Sequence, residues 1–343
     1  MRIDSITSVI GYSYVIQSRT VQPKSDEVSS ILGGGKTNIN GEIEDFKQGA
    51  TGNCYMLTRL KNLSRKSWGK RAIKSAIVSD GMGGAYVTFK GATSSGQIKP
   101  VKLPVSVEDI LRVRTMQQKY PDPQKYKLST EAGQRQYEQD LRVYRAYSQG
   151  DDDVLVVELA YKKYLKSKGR NMSNGDTSTL MGNNAIMTDD GDIIRLIVGS
   201  KKNGYRGARF GTTNPVLMDR TLSAVKNRLD DYVLEIEFKE GNELGFPTNH
   251  SIEIVAFGTD SSGRPMIELR NPWDSSQPIK KGYYDVLLSA RNIFVWENPD
   301  KKTNLSSEIQ FANTTQEELN NLYIMQKKYQ TKPGRVIVKR GWH

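Results

Sequence analysis

The sequence predicts an α+β protein, and two observations carry that reading. Apolar residues recur at helical spacing before about residue 206, and at period two after it. Glycine and proline clusters punctuate both stretches where turns are needed.

The elements follow in order. Residues 1–40 are rich in Ser, Thr, Val and Gly and read as a flexible N-terminal segment. Residues 54–66 predict a helix, with Met56, Leu60 and Leu63 on one face. Gly81, Gly83 and Gly84 mark a turn, and residues 85–89 (AYVTF) then read as a strand. A short second strand at 101–103 sits between Pro100 and Pro104, which favours a sheet edge. Residues 106–150 are charged and mostly helical, with Tyr137, Leu141 and Tyr144 as an apolar stripe, and Pro121-Asp122-Pro123 splits them in two. Residues 154–165 (VLVVELAYKKYL) predict an apolar helix, and 190–198 a short one. Residues 233–238, 251–257, 266–270 and 293–296 read as strands. The tail predicts a helix from Thr315, where Glu318 completes a capping box and Leu319, Leu322 and Tyr323 form the apolar face.

This divides the chain into a flexible segment (1–40), a helical Cys-bearing part (41–205) with an insertion at 106–150, a β-rich part (206–300) and a C-terminal helix and tail (301–343).

Composition narrows the function classes. No apolar run reaches the roughly 18–20 residues of a membrane span, and the N-terminus lacks the pattern of a secretory signal. The expected location is cytoplasmic, or outside the cell by a route without such a signal, as for a secreted effector or toxin. The net charge of +12 is spread along the chain. Residues 59–74 hold Arg59, Lys61, Arg65, Lys66, Lys70, Arg71 and Lys74 with no acid among them. They read as a solvated helix face or as an attractor for an acidic partner or anionic surface. Nucleic acid is not expected, because no zinc-finger or RNP pattern is present. Gly35-Lys36-Thr37 ends like a P-loop, but Ser30 stands where that pattern needs glycine.

Cys54 is the one cysteine, so no intrachain disulfide forms. It is either a small buried hydrophobe or a reactive thiol. In Gln48-Gly49-Ala50-Thr51-Gly52-Asn53-Cys54-Tyr55 it opens the predicted helix after two glycines. Glycine permits a sharp turn and close approach of another backbone. A helix N-terminus favours thiolate through its dipole and its unbonded N–H groups. Those N–H groups, with the Gln48 side-chain amide, suit a developing oxyanion. His250 is the only internal imidazole, since His343 ends the chain, and it stands where a loop meets a strand. Asn271 follows the next strand, before Pro272 and Trp273. An Asn there can accept from one imidazole nitrogen and fix the tautomer, while Trp273 covers the contact. Each piece also has a structural reading: a capped helix with a buried Cys, a strand-start His, a turn with a packing aromatic.

Together the segments resemble the calpain family of the papain-like superfamily. The chain has QGATGNCY for the family's QGxxGDCW, NHSIEI for GHAYSV, and RNPWD for RNPWG. VVELAYKKYL, with Glu158, Ala160, Tyr161 and Lys163, matches a family helix like LLEKAYAKL. The likeness spans about residues 41–300. It implies a papain-like protease core, with a helical Cys subdomain packed against an antiparallel β-rich His/Asn subdomain. It implies a cysteine endopeptidase with Cys54 as nucleophile, His250 as base, Asn271 as orienting residue, Gln48 in the oxyanion hole and Trp273 as shield. A protein is the implied substrate. Animal members need calcium, whose ligands the sequence does not place. Asn53, Tyr55 and Asp274 depart from the family's Asp, Trp and Gly. The competing reading is a catalytically silent peptide-binding module of the same fold.

Overall fold

The computed structural model describes residues 37–94, 97–170, 192–199, 209–248, 250–301, 305 and 314–329. Most of the N-terminal segment, Asp190, Asn249 and His343 lie outside the described residues. The protein is a mixed α+β fold of helices and antiparallel sheets.

The first half begins with α1 (Cys54–Ser64) and α2 (Ser67–Ala76). Strands β1 (Ile77–Ser79), β2 (Ala85–Phe89) and β5 (Val101–Val105) form a three-stranded antiparallel sheet in the order β1-β2-β5. Pro104 stands in β5 at the sheet edge, where its missing N–H costs no ladder bond. A two-residue pair, β3 (Thr93–Ser94) and β4 (Gln97–Ile98), lies between.

The insertion folds as α3 (Val107–Lys119), a 3₁₀ turn at Pro123–Lys125 and α4 (Glu131–Tyr144), broken where the two prolines stand. Ser106 and Thr130 cap the helices by accepting from Asp109 N and Gly133 N. The tyrosine stripe of α4 is not core. No α4 residue is buried. Tyr144 instead stacks on Tyr120 with centroids 4.9 Å apart, and Tyr137 meets Tyr126 edge-on at 5.2 Å. Then come α5 (Asp152–Ser167), capped by Asp151, and α6 (Ile193–Val198), capped by Asp192.

The second half is one six-stranded antiparallel sheet. Its strands are β6 (Arg209–Thr212), β7 (Tyr232–Phe238), β8 (Ser251–Thr259), β9 (Pro265–Asn271), β10 (Asp274–Gly282) and β11 (Ala290–Glu297). They run in the order β10-β9-β8-β7-β11-β6. Two helices there were not evident from alternation: α7 (Pro215–Val225) and α8 (Tyr283–Ser289). α7 carries a readable start signal, with Asn214 as cap and Pro in the first turn. α9 (Gln316–Tyr329) has the expected capping box. Thr315 N donates to Glu318 at 2.8 Å and Glu318 N to Thr315 Oγ1 at 3.2 Å. Leu322 is buried, but Tyr323 is exposed rather than on the packed face.

Two hydrophobic cores result. The first joins α1, α5, α6 and the small sheet, and takes Val233, Phe294 and Trp296 from the large sheet. The second lies between the large sheet and α7, α8 and α9, including Leu305 and Leu322. α1 and α6 meet the sheet along the boundary.

That boundary explains the burial of one strand and corrects one expectation. β7 is buried at all seven positions, so its alternation does not mark a solvated face. Its acidic face packs on α1: Arg59 Nε meets Glu235 Oε2 at 2.6 Å, both side chains essentially inaccessible. Glu237 accepts from Asn292 Nδ2 at 2.9 Å. Much of the basic run is therefore neither a solvated face nor available to an acidic partner. Lys61 reaches Glu44 O and Asp45, Arg65 lies 2.9 Å from Glu253, and Lys66 donates to Leu229 O at 2.7 Å. Only Lys70, Arg71 and Lys74 of the run are exposed. The sequence could not show this, because the partners of Arg59, Arg65 and Lys66 lie more than a hundred positions away in the chain.

Candidate active site

Cys54 is the first residue of α1, 8% exposed, and every residue of that helix is buried. The residue before it, Asn53, does not cap the helix. Its Nδ2 instead donates to Glu158 Oε1 of α5 at 2.7 Å. Burial pushes the Cys54 thiol up. Hydrogen bonding from the Ser251 backbone pulls it down, Glu235 raises it, and the Tyr55 backbone lowers it. The Ser251 contact brings the sulfur against the residue that follows His250.

The pairing has a structural cause. α1 lies on β8, with Thr58 Oγ1 donating to Ser251 O at 2.8 Å. Asn62 Nδ2 donates to Leu234 O of β7 at 2.6 Å. Ser251 Oγ donates to Glu235 Oε1 at 2.7 Å, the carboxylate that also holds Arg59. One turn of the Cys54 helix is thus tied to the strand that begins after His250.

His250 is buried. Antiparallel pairing of β8 with β9 brings the start of one strand beside the end of the other, through Glu253↔Arg270. His250 Nε2 lies 2.8 Å from Asn271 Oδ1. The same oxygen accepts from Trp273 N at 3.0 Å, which identifies it as the amide carbonyl and makes Nε2 the protonated nitrogen. Nδ1 is then the basic one. Pro272 and Trp273 form the two-residue link between β9 and β10, so Asn271 closes a tight turn over itself. The Trp273 ring packs on His250, centroids 4.5 Å apart and tilted 36°, while remaining 46% exposed. Burial lowers the His250 pKa below its usual 6.5, and the Asn271 hydrogen bond partly offsets this.

Gln48 joins the two halves. Its backbone N–H donates to Pro272 O at 2.8 Å, stitching the loop before Cys54 to the turn after Asn271. Phe46 and Ser275 add a reciprocal pair: Phe46 N to Ser275 Oγ at 2.9 Å and Ser275 N to Phe46 O at 3.0 Å. The Gln48 side-chain amide donates to Thr51 O at 2.9 Å, within its own loop.

All five residues singled out from the sequence therefore belong to one region, although the chain separates them by up to 225 positions (273 − 48). Sequence reasoning missed the residues that hold them. Glu158, Glu235 and Arg59 are fully buried and ionisable. The sequence shows each as a charge among apolar neighbours, and Glu158 as part of the matched helix, but names no partner for any of them. Among the described residues no group of three His, Cys, Asp or Glu side chains is arranged to hold a metal ion, and no helix is long and apolar enough to cross a membrane. Asp151, Asp152 and Asp153, the densest acidic run, accept from backbone N–H groups of Asn38, Asn40, Gly41 and Glu44. No known family model matches this chain, and no curated protein resembles it closely enough to count as a relative.

Proposed function

We propose that this chain is a cysteine endopeptidase with a papain-like core of calpain type, hydrolysing peptide bonds through Cys54, His250 and Asn271. The observation that carries the reading is the bond of 2.8 Å from His250 Nε2–H to Asn271 Oδ1, beside a strand residue in contact with the Cys54 sulfur. That bond leaves Nδ1 as the base.

The chemistry follows from these groups. Nδ1 takes the thiol proton as sulfur attacks the substrate carbonyl, forming the S–C bond. The carbonyl oxygen becomes an oxyanion, for which the start of α1 and the Gln48 amide are the donors at hand. Each such donor is worth about 3 to 4 kcal/mol in sites of this kind. The amine leaves with the proton from the imidazolium, and water, deprotonated by the same nitrogen, hydrolyses the thioester. Asn271 holds the ring without adding a charge, and Trp273 keeps water from their bond.

A second reading, a silent peptide-binding module, draws support from two features. The thiol is pushed up by burial, and the Gln48 amide is engaged by Thr51 O. The test is a proteome incubated with the wild-type chain or Cys54→Ala, with and without calcium, followed by a search for new N-termini. New N-termini that vanish with Cys54→Ala support the endopeptidase. Identical sets from the two proteins, with peptides still retained on both, support the binding module.

A further inference from the structure

We propose that the strap of residues 145–151, where the helical insertion returns to α5, positions the loop 48–53 so that the Gln48 side-chain amide and the start of α1, which the loop leads into, meet a developing oxyanion. This rests on the hydrolase reading above and assigns a task to the insertion.

The strap and the loop lie against each other along their backbones. Lys47 N donates to Gln149 O at 2.9 Å and Gln149 N to Lys47 O at 2.8 Å. Ala50 N donates to Arg145 O at 2.7 Å and Thr51 N to Ala146 O at 3.1 Å. Gly49 sits at the closest approach. A Cβ there would stand 2.3 Å from Tyr147 O and 2.5 Å from both Ala146 O and Arg145 O. The loop can lie here only because residue 49 has no side chain.

One buried carboxylate ties the two pieces together. Glu158 accepts from Asn53 Nδ2 at 2.7 Å, from Ser148 N at 2.9 Å and from the Ser148 hydroxyl. Asn53 immediately precedes the thiol, so the carboxylate fixes that end of the loop to the strap, while the Lys47–Gln149 pair fixes the other. The strap is held from behind by α3. Gln117 Nε2 donates to Tyr147 O at 2.9 Å and Ser148 O at 3.1 Å. Arg114 donates to Ser148 O and Asp151 O, each at 3.1 Å, and pairs with Asp152 at 2.9 Å. Force applied to the insertion therefore reaches the oxyanion loop through α3 and the strap, without touching Cys54 or His250. Ser148, Gln117 and Arg114 are positioning residues.

Two thiol reagents separate positioning from general support. Alkylation by iodoacetamide is a displacement at carbon and develops no oxyanion. Addition of a peptide aldehyde, acetyl-Leu-Leu-norleucinal, places a hemithioacetal oxygen where the oxyanion forms. Both are measured at Cys54 on the full chain, wild type, Ser148→Ala and Gln117→Ala, with thermal melts to verify folding. Gln117→Ala loosens the strap from its outer side and serves if Ser148→Ala does not fold.

The expected result is aldehyde binding weakened about tenfold in the variants, with alkylation rates within about twofold of wild type. Unchanged aldehyde affinity in a folded variant overturns the strap's role and leaves the hydrolase reading intact. A parallel fall in both reactions also overturns it, since the strap would then support the whole region. A wild-type chain that alkylates at Cys54 but forms no aldehyde adduct overturns the hydrolase reading and this inference with it.

Discussion

The backbone N–H of Gln48 donates to the carbonyl of Pro272 across 2.8 Å, tying the loop before the thiol to the turn after Asn271. The halves of the chain are joined beside Cys54 and Asn271, where the proposed chemistry takes place.

The acid limb of activity should lie below pH 6.5. Burial lowers the His250 pKa, so the ring stays neutral and basic to a lower pH than free imidazole. Trp273→Ala uncovers the ring, and its pKa should rise toward the usual value, moving the limb up. Asn271→Ala removes the bond that raises the pKa, so the limb should move down, and the misplaced ring should cost about 100-fold in turnover. A kcat/KM profile against pH for the three proteins reads all of this. Limbs that coincide would remove His250 as the titrating base.

Arg59 and Glu235 form a fully buried pair at 2.6 Å. Arg59→Met leaves Glu235 facing the interior, where Ser251 Oγ still donates to it, and should cost about 3–5 kcal/mol in urea unfolding. The double variant Arg59→Met/Glu235→Gln should recover at least half of that. A double variant no more stable than the single one would show that packing, not the stranded charge, sets the loss.

Glu253 should make stability fall as pH rises between about 4.5 and 7, against the smaller opposite pull of the buried His250 below 6.5. Burial pushes the Glu253 carboxyl up to about 7, overcoming Arg65, Lys66 and Lys61, although Arg65 stands 2.9 Å away. In that window the folded chain binds more protons than the unfolded chain, so raising the pH favours unfolding. Asp153, pushed up to about 6 chiefly by burial, acts in the same direction. Glu253→Gln should flatten the slope of unfolding free energy against pH, and a slope identical to wild type would remove Glu253 as its source.

Gly49→Ala should lower turnover more than stability. The new methyl meets three backbone carbonyls that cannot rotate away, so the loop must shift. An overpacking cost of about 1–3 kcal/mol is expected, read as a melting temperature lower by several degrees. Turnover should fall further than that loss of folded protein explains. Equal losses would mean that the loop's position is not critical.

Several parts of this fold were legible from local pattern. Proline placement predicted the split of the insertion and the edge position of the strand expected at 101–103, which in the structure runs on through Pro104 to Val105, and Thr315 with Glu318 predicted the start of the last helix. The order Cys54, His250, Asn271, with each at an element boundary, was also readable. Helix period, strand period and capping are properties of neighbouring residues, so a linear chain displays them.

The burial of charge was not legible. Residues 232–238 alternate as a half-solvated strand does, yet Glu235 and Glu237 are inside, because α1 brings Arg59 and β11 brings Asn292 to meet them. The basic run looked like a surface for the same reason. Which carboxylate faces which guanidinium depends on contacts between segments more than a hundred residues apart. Local sequence determines where elements start and stop. Tertiary packing, above all that of α1 onto the large sheet, decides which charges find partners inside, and how Cys54 comes to rest against the residue after His250.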